Sequence, residues 1–449
     1  MMHSNYTLPK ELPLFKELPS FFDAFASSET ENLSQWEMNK NKLRNLYAHY
    51  MYGPMPDTKD ETISYRLGEP ETVDIVLDDS YPVSNVSVRR LDCILCISKS
   101  GRSAEFKIVI TLPLEESSKT AYPLYSEMCF FPTHNTAYAA YRGYASASFV
   151  PMDVASDNLK REGAFYTLYP YGDTFETQTG ALMAWGWGAG KILDAMEAGL
   201  AQELNIDYHN NILTGVSRYG KATAVAGAFD ERIKVTVPTC SGAGGMASFR
   251  YISEGKTYDL SSVGFYQNGT HMMTLGKNEP LEVLQCDSER HWFNETFREF
   301  TSPYQLPFDQ HFLAALMASE DRYLMIISGH NGEDWTNPPA MAYTYLAARE
   351  IYRHFGVEDH LTIHIHENNI EPSGDFKVRR GPCPNHAVLA EDMVYLLDYC
   401  DFHLFGKKDI TSDLSLLKTC AFFEAKNWDP AFDKFATPDE FPALINTGK

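Results

Sequence analysis

Apolar and polar residues alternate along residues 62–113 of the chain. Ile63-Ser64-Tyr65-Arg66-Leu67 and Val73-Asp74-Ile75-Val76-Leu77 place every second side chain on one face, and longer runs of the same kind cover Val86 to Ile97 and Phe106 to Leu112. A period of two is that of a half-buried strand, so the pattern predicts an antiparallel set with turns at Asp78-Asp79 and Gly101. Before it, Leu33 to Met51 reads as a helix that Tyr52-Gly53-Pro54 ends. Pro9, Pro13 and Pro19 mark the first 30 residues as irregular.

From about residue 115 the pattern changes. Tyr144 to Val150, Ile233 to Val237, Tyr323 to Ser328 and His360 to Ile365 read as strands. Ala181 to Leu200, Met341 to Phe355 and Val388 to Leu404 read as helices. Strands alternating with helices predict a mostly parallel sheet. Residues 407–449 break into short amphipathic pieces around Pro430, Pro438 and Pro442.

One heptapeptide stands out in the middle of this series: Gly215-Val216-Ser217-Arg218-Tyr219-Gly220-Lys221. The strand-like run Asn211-Ile212-Leu213-Thr214 precedes it, and an Ala/Gly-rich helical run, Ala222 to Phe229, follows. Strand, sharp turn and helix form the setting of a nucleophile elbow, in which a serine sits on a strained turn above the sheet. The next N–H, at a helix N-terminus, is placed to stabilise an oxyanion. The second glycine comes one residue later than in the common G-x-S-x-G spelling. An antiparallel start, a strand-helix series and a serine turn at mid-chain together predict an α/β fold, the α/β-hydrolase three-layer sandwich. The N-terminal antiparallel strands extend its sheet. The chain divides into an N-terminal extension (1–35), the hydrolase domain (36–406) and a C-terminal extension (407–449).

In that architecture the triad runs serine, acid, histidine along the chain. The strand Tyr323 to Ser328 leads into Gly329-His330-Asn331-Gly332-Glu333-Asp334-Trp335, where Asp334, with Glu333 as the alternative, occupies the place of the acid. Three histidines compete as base. His364 lies within the last strand and reads as a packed strand residue. His366 directly follows that strand and is the alternative base. His386 opens the last helix in a loop, from which a base reaches a serine hydroxyl more readily than from a strand, so it is preferred.

The chain has 449 residues, 44% of them hydrophobic, and a formal net charge of −22. A field of that sign argues against nucleic acid and anionic membranes as partners. The N-terminus has no basic start followed by an apolar stretch, and there is no run of about 20 apolar residues, so a cytoplasmic location is expected. Eight cysteines are scattered along the chain. Cys93 and Cys96 form the only close pair, and in a strand they point to opposite faces, so no zinc site is expected and the thiols read as reduced.

Assembled in order, these residues resemble the glucuronoyl esterases, carbohydrate esterase family fifteen, from about residue 36 to about residue 406. The family's elbow reads G-C-S-R-x-G-K. Ala184-Trp185-Gly186-Trp187-Gly188, Ser241-Gly242-Ala243-Gly244-Gly245, His291-Trp292-Phe293-Asn294 and Leu306-Pro307-Phe308-Asp309-Gln310-His311 are similar to further family motifs. The resemblance implies a serine carboxylester hydrolase acting on a uronate ester of the 4-O-methyl-glucuronoyl type, free or on an oligosaccharide, without metal or organic cofactor. It implies that Arg218 joins the oxyanion hole, that Lys221 bonds sugar hydroxyls and that Trp292 packs on the sugar ring. Two positions depart from the family. Cys240 stands where members with a Glu triad acid carry it after the next strand, which shifts the acid to the later loop and favours Asp334. Val216 stands where many members have a cysteine, so no disulfide forms there. Two other readings are an acetyl esterase acting on sugar or xylan oligomers, and an inactive carbohydrate-binding protein.

Overall fold

The computed structural model describes residues 6–115, 120–251, 256–259, 272–275, 279–330, 336–366 and 386–435. A ten-stranded sheet organises them. Helix α1 (Leu33–Tyr47) leads to the antiparallel strands β1 (Thr62–Leu67), β2 (Glu71–Val76), β3 (Asn85–Lys99) and β4 (Arg102–Pro113). Then come β5 (Tyr122–Met128), α2 (His134–Tyr141), β6 (Ala145–Phe149), α3 (Ala181–Ala195), β7 (Ile206–Val216), α4 (Arg218–Phe229) and β8 (Val235–Thr239). A two-stranded hairpin, β9 (Lys256–Asp259) and β10 (Met272–Leu275), stands apart from the sheet. Strand β11 (Tyr323–Gly329), α5 (Pro338–His354), β12 (Leu361–His366) and α6 (Ala390–Phe405) complete the series. The sheet order is β1-β3-β4-β6-β5-β7-β8-β11-β12, with β2 on β3, and β6 through β12 run parallel. This is the three-layer α/β-hydrolase arrangement expected from the sequence.

The layers follow from the period of two. Leu324 and Ile326 of β11 join the cluster under α1, α3, α4 and α5, while Tyr323, Met325 and Ile327 join the cluster under α2 and α6. Both extensions feed the same two clusters. Phe21 enters the first from the N-terminal side, Phe423 and Phe432 enter it from the C-terminal side, and Leu417 enters the second.

The central strand β5 has no counterpart among the elements read from the sequence. Pro123, Ser126 and Glu127 interrupt its apolar pattern, yet Ser126 and Glu127 are buried. Strand β7 is longer than predicted because its pairing with β5 shifts register between Pro123 and Leu124, which lets Ile206 and Asp207 join. The predicted helix Ala181 to Leu200 gives way to a π-helical turn at Met196–Leu200, and Leu33 to Met51 does so at Ala48–Tyr52. His366 lies in the last strand rather than beyond it.

Candidate active site

The parallel strands end together on one edge. Val216 pairs with Thr239, Thr239 with Ile327, and Gly329 with His366. Ser217 leaves this edge with φ 64° and ψ −127°, a conformation L-residues rarely adopt. Its own backbone pins it: Ser217 N–H donates to Thr239 O at 3.0 Å, and Ser217 O accepts from Lys221 N–H at 3.0 Å. The glycine spacing has a steric cause. A Cβ on Gly215 would lie 2.6 Å from Tyr219 O, and one on Gly220 would lie 2.4 Å from Thr239 O. Gly220 is therefore the position where the turn passes closest to β8. The Tyr219 ring is buried against Trp185 and Phe130, each with ring centres 5.3 Å away.

Arg218 is the first residue of α4, so its N–H belongs to the group of helix-start donors without an intrahelical acceptor. Its guanidinium ion-pairs with Asp157 and lies 5.3 Å above the ring of Trp292. Asp157 also accepts from His291 Nε2 and from Trp292 Nε1, both at 2.7 Å. Burial alone would raise the Asp157 carboxyl, but His291, Arg218 and Trp292 hold it down at about 2. Lys221 is buried, donates to Ser241 O at 2.8 Å and pairs with Glu279 at 2.5 Å. Trp292 is 3% exposed, with Lys221 Nζ 5.9 Å from its ring centre. Among the described residues the ring thus meets Arg218, Lys221, His291 and Asp157.

Glu289 is the unexpected member. Burial first, and then the charge of Glu279, push its carboxyl up to about 8. Its Oε2 is buried without a hydrogen-bond partner among the described residues. A protonated carboxylic acid beside Lys221 and Arg218 can donate to a sugar oxygen. Asp157, Glu279 and Glu289 had no local signal. Each is a loop acid until the fold delivers it beside the elbow.

Asp334 and Glu333 lie outside the described residues; the residue before that segment, His330, is tied by its N–H to His366 O at 2.9 Å. His386 is half-buried in a bend just before α6. The segment after it is fastened twice. Val388 O accepts from Asn135 Nδ2 at 3.5 Å, and Leu389 N–H donates to Asp392 at 2.6 Å. Asn135 also faces the buried Glu127 of β5, whose carboxyl burial raises to about 7. His364 and His366 are buried, each with Nδ1 on Asp392 Oδ1, so the alternative base His366 is held in the interior. Cys240 is buried with φ 45°, its N–H on Ile327 O at 2.8 Å. A thiol there supplies no carboxylate to a histidine.

Residues 95–356, more than half of the chain, match the family described as glucuronyl esterase, fungi. The chain belongs to the glucuronoyl esterase family. A carbohydrate esterase family 15 glucuronoyl esterase from Caldicellulosiruptor kristjansonii is similar in structure, with a TM-score of 0.71 and 35% identity over 96% of this chain and 99% of that one. A multidomain esterase from Ruminococcus flavefaciens is 38% identical over 96% of this chain and 52% of its own length. A 4-O-methyl-glucuronoyl methylesterase from Hypocrea jecorina is 29% identical over 77% of this chain and 64% of its own length. The chain thus spans between half and two thirds of these two curated relatives. In the glucuronoyl esterase fold seen here, Arg218 and Lys221 of the elbow meet Asp157, Glu279 and Trp292 in one set of contacts.

Proposed function

We propose that this glucuronoyl esterase family member is a serine carboxylester hydrolase that cleaves uronate esters of the 4-O-methyl-glucuronoyl type through an acyl-enzyme. The observation that carries the reading is the strained Ser217 at the head of α4, with Arg218 next to it and Lys221 one turn on. His386, oriented by Asp334 or Glu333, takes the proton of Ser217 as the oxygen attacks the ester carbonyl. The carbonyl oxygen gathers charge against the Arg218 N–H and guanidinium, which Asp157 keeps in place. His386 then protonates the leaving alcohol, and water attacks the acyl-enzyme by the same route to release the acid. Lys221 and a protonated Glu289 offer donors to the sugar oxygens. The substrate class is supported by the name of the Hypocrea jecorina relative and by the donors that Arg218 and Lys221 place beside Ser217. A cytoplasmic location is part of the proposal, and its support is the buried thiols Cys93, Cys129 and Cys400, none of them in a disulfide.

Hydrolysis of benzyl or methyl glucuronate is compared with that of 4-nitrophenyl acetate, using wild type, Ser217→Ala, Asp334→Ala and Glu333→Ala. The expected result is faster turnover of the uronate ester, abolished in Ser217→Ala and strongly reduced in one acid variant. A preference for the acetyl ester would move the assignment to the acetyl esterase class, and no turnover of either ester would overturn the esterase reading.

A further inference from the structure

Three ligand-type atoms converge where β12 ends and α6 begins. His364 and His366, two residues apart on a strand, point to the same face. Their Nδ1 atoms lie 2.7 and 3.0 Å from the same oxygen, Asp392 Oδ1. The three donor atoms all fall within 4.8 Å of one another. Asp392 is fully buried, His366 is 2% exposed and His364 is 8% exposed. The other oxygen of Asp392 is already engaged by Leu389 N–H at 2.6 Å.

The charge balance is what singles the cluster out. With both rings neutral, the ionised aspartate is a buried negative charge whose ion-pair partners among the described residues are the two histidines themselves. Such a charge is costly unless a cation joins it. The cation is either a proton shared by the rings or a metal ion. Two imidazoles and one carboxylate form a donor set suited to first-row divalent metals. A second feature fits ligation through Nδ1. His364 Nε2 lies 3.8 Å from Glu391 Oε1, beyond hydrogen-bond reach but near enough for the carboxylate charge to favour a proton on Nε2. Tyr395 packs its ring 4.8 Å from that of His364 and closes the outer side.

We propose that His364 Nδ1, His366 Nδ1 and Asp392 Oδ1 form a binding site for a divalent transition-metal ion of the Zn²⁺ class, separate from Ser217. In the metal-free state each ring carries its proton on Nδ1 and donates it to Asp392. On binding, a neutral ring moves that proton to Nε2 and gives the Nδ1 lone pair to the ion, and a ring that was imidazolium releases one proton to solvent. Ligand bonds of about 2.0–2.2 Å require the two N···O contacts to open by a few tenths of an ångström, which small rotations of the rings supply. The ion joins the end of β12 to the first turn of α6. It thereby braces the helix start that follows His386.

The test uses the full chain after treatment with a chelator. Zn²⁺ binding is followed by calorimetry and Co²⁺ binding by its visible absorption, for wild type, His364→Gln, His366→Gln and Asp392→Asn. Circular dichroism checks that each variant folds. His364→Gln is the mildest change, because that side chain is the most exposed of the three. The expected result is one tight site per chain with tetrahedral or five-coordinate Co²⁺ bands, a melting temperature raised by Zn²⁺, and affinity lowered at least about 10-fold in the folded His364→Gln variant. Wild type without such a site, or Zn²⁺ affinity and stabilisation unchanged in folded His364→Gln and His366→Gln, would overturn the proposal and leave a proton-bridged helix cap.

Discussion

Arg218 follows Ser217 directly, and its guanidinium is held by a carboxylate that three donors keep ionised. Removing the guanidinium in Arg218→Ala should lower kcat by about 10²–10³, the usual loss for one oxyanion donor. Asp157→Asn keeps the hydrogen bonds to Trp292 and His291 but loses the charge that fixes the guanidinium. Its kcat should fall more than its KM rises, which steady-state kinetics on benzyl glucuronate will show. Because Asp157 is held at about 2, below its ordinary 3.8, the stability it contributes is present above pH 3.8 and lost as pH falls through 2. Glu289 has the opposite sign. Its folded value of about 8 lies above the ordinary 4.5, so the folded state holds the extra proton between those limits. Stability therefore falls as pH rises from 4.5 towards 8, and Glu289→Gln should abolish that slope in urea titrations at several pH values. Wild type should show a rise in KM for the uronate ester above about pH 8, and the same variant should remove it. Ser217, Arg218 and Lys221 were legible because one local turn carries all three. Asp157, Glu279 and Glu289 were not, because burial and neighbouring charge give a loop carboxylate its role, and neither is visible along the chain.

The elbow depends on close approach between elements. Gly220 touches β8, and Gly227 of α4 would meet Thr236 Oγ1 at 2.3 Å if it carried a Cβ. Gly186 of α3 sits 3.4 Å from Ala226 by the same measure, so small residues on both helices set their spacing. Gly220→Ala should destabilise the protein by about 1–3 kcal/mol, the usual range for overpacking, and urea unfolding measures it. Turnover should fall as well, because the clash pushes on the turn that holds Ser217. Amphipathic period revealed β1 to β4 and most of the later helices. It failed at β5, a strand buried on both faces whose polar residues are satisfied by tertiary partners. Glu127 meets Thr133 and Asn135. Such a strand has no alternation to read.

At the scale of the whole molecule, the C-terminal segment is part of the architecture. Phe422 lies edge-on to His330 with ring centres 4.8 Å apart, and Phe423 stacks on Tyr345 at 5.9 Å. Tyr251 donates to Asp429 at 2.5 Å, tying the segment to the residues that follow β8. Ending the chain after Gly406 should expose the apolar surfaces now covered by Leu417, Phe423 and Phe432. The expected outcome is a lower melting temperature and, through His330, reduced turnover. Differential scanning calorimetry and ester hydrolysis on the truncated chain check both.

By itself the sequence determined the α/β class, the layered sheet, the serine elbow with its neighbouring cations, and membership of an esterase lineage. All of these are written in local period or in contiguous motifs, where each residue's role depends on neighbours a few positions away. Only the tertiary structure decided that Trp292 faces Arg218 and Asp157, that His366 is bound inside to Asp392, and that Glu289 is a buried acid beside Lys221. Those outcomes rest on desolvation and on contacts between residues far apart in the chain, and both arise only when the sheet brings the ends of its strands to one edge.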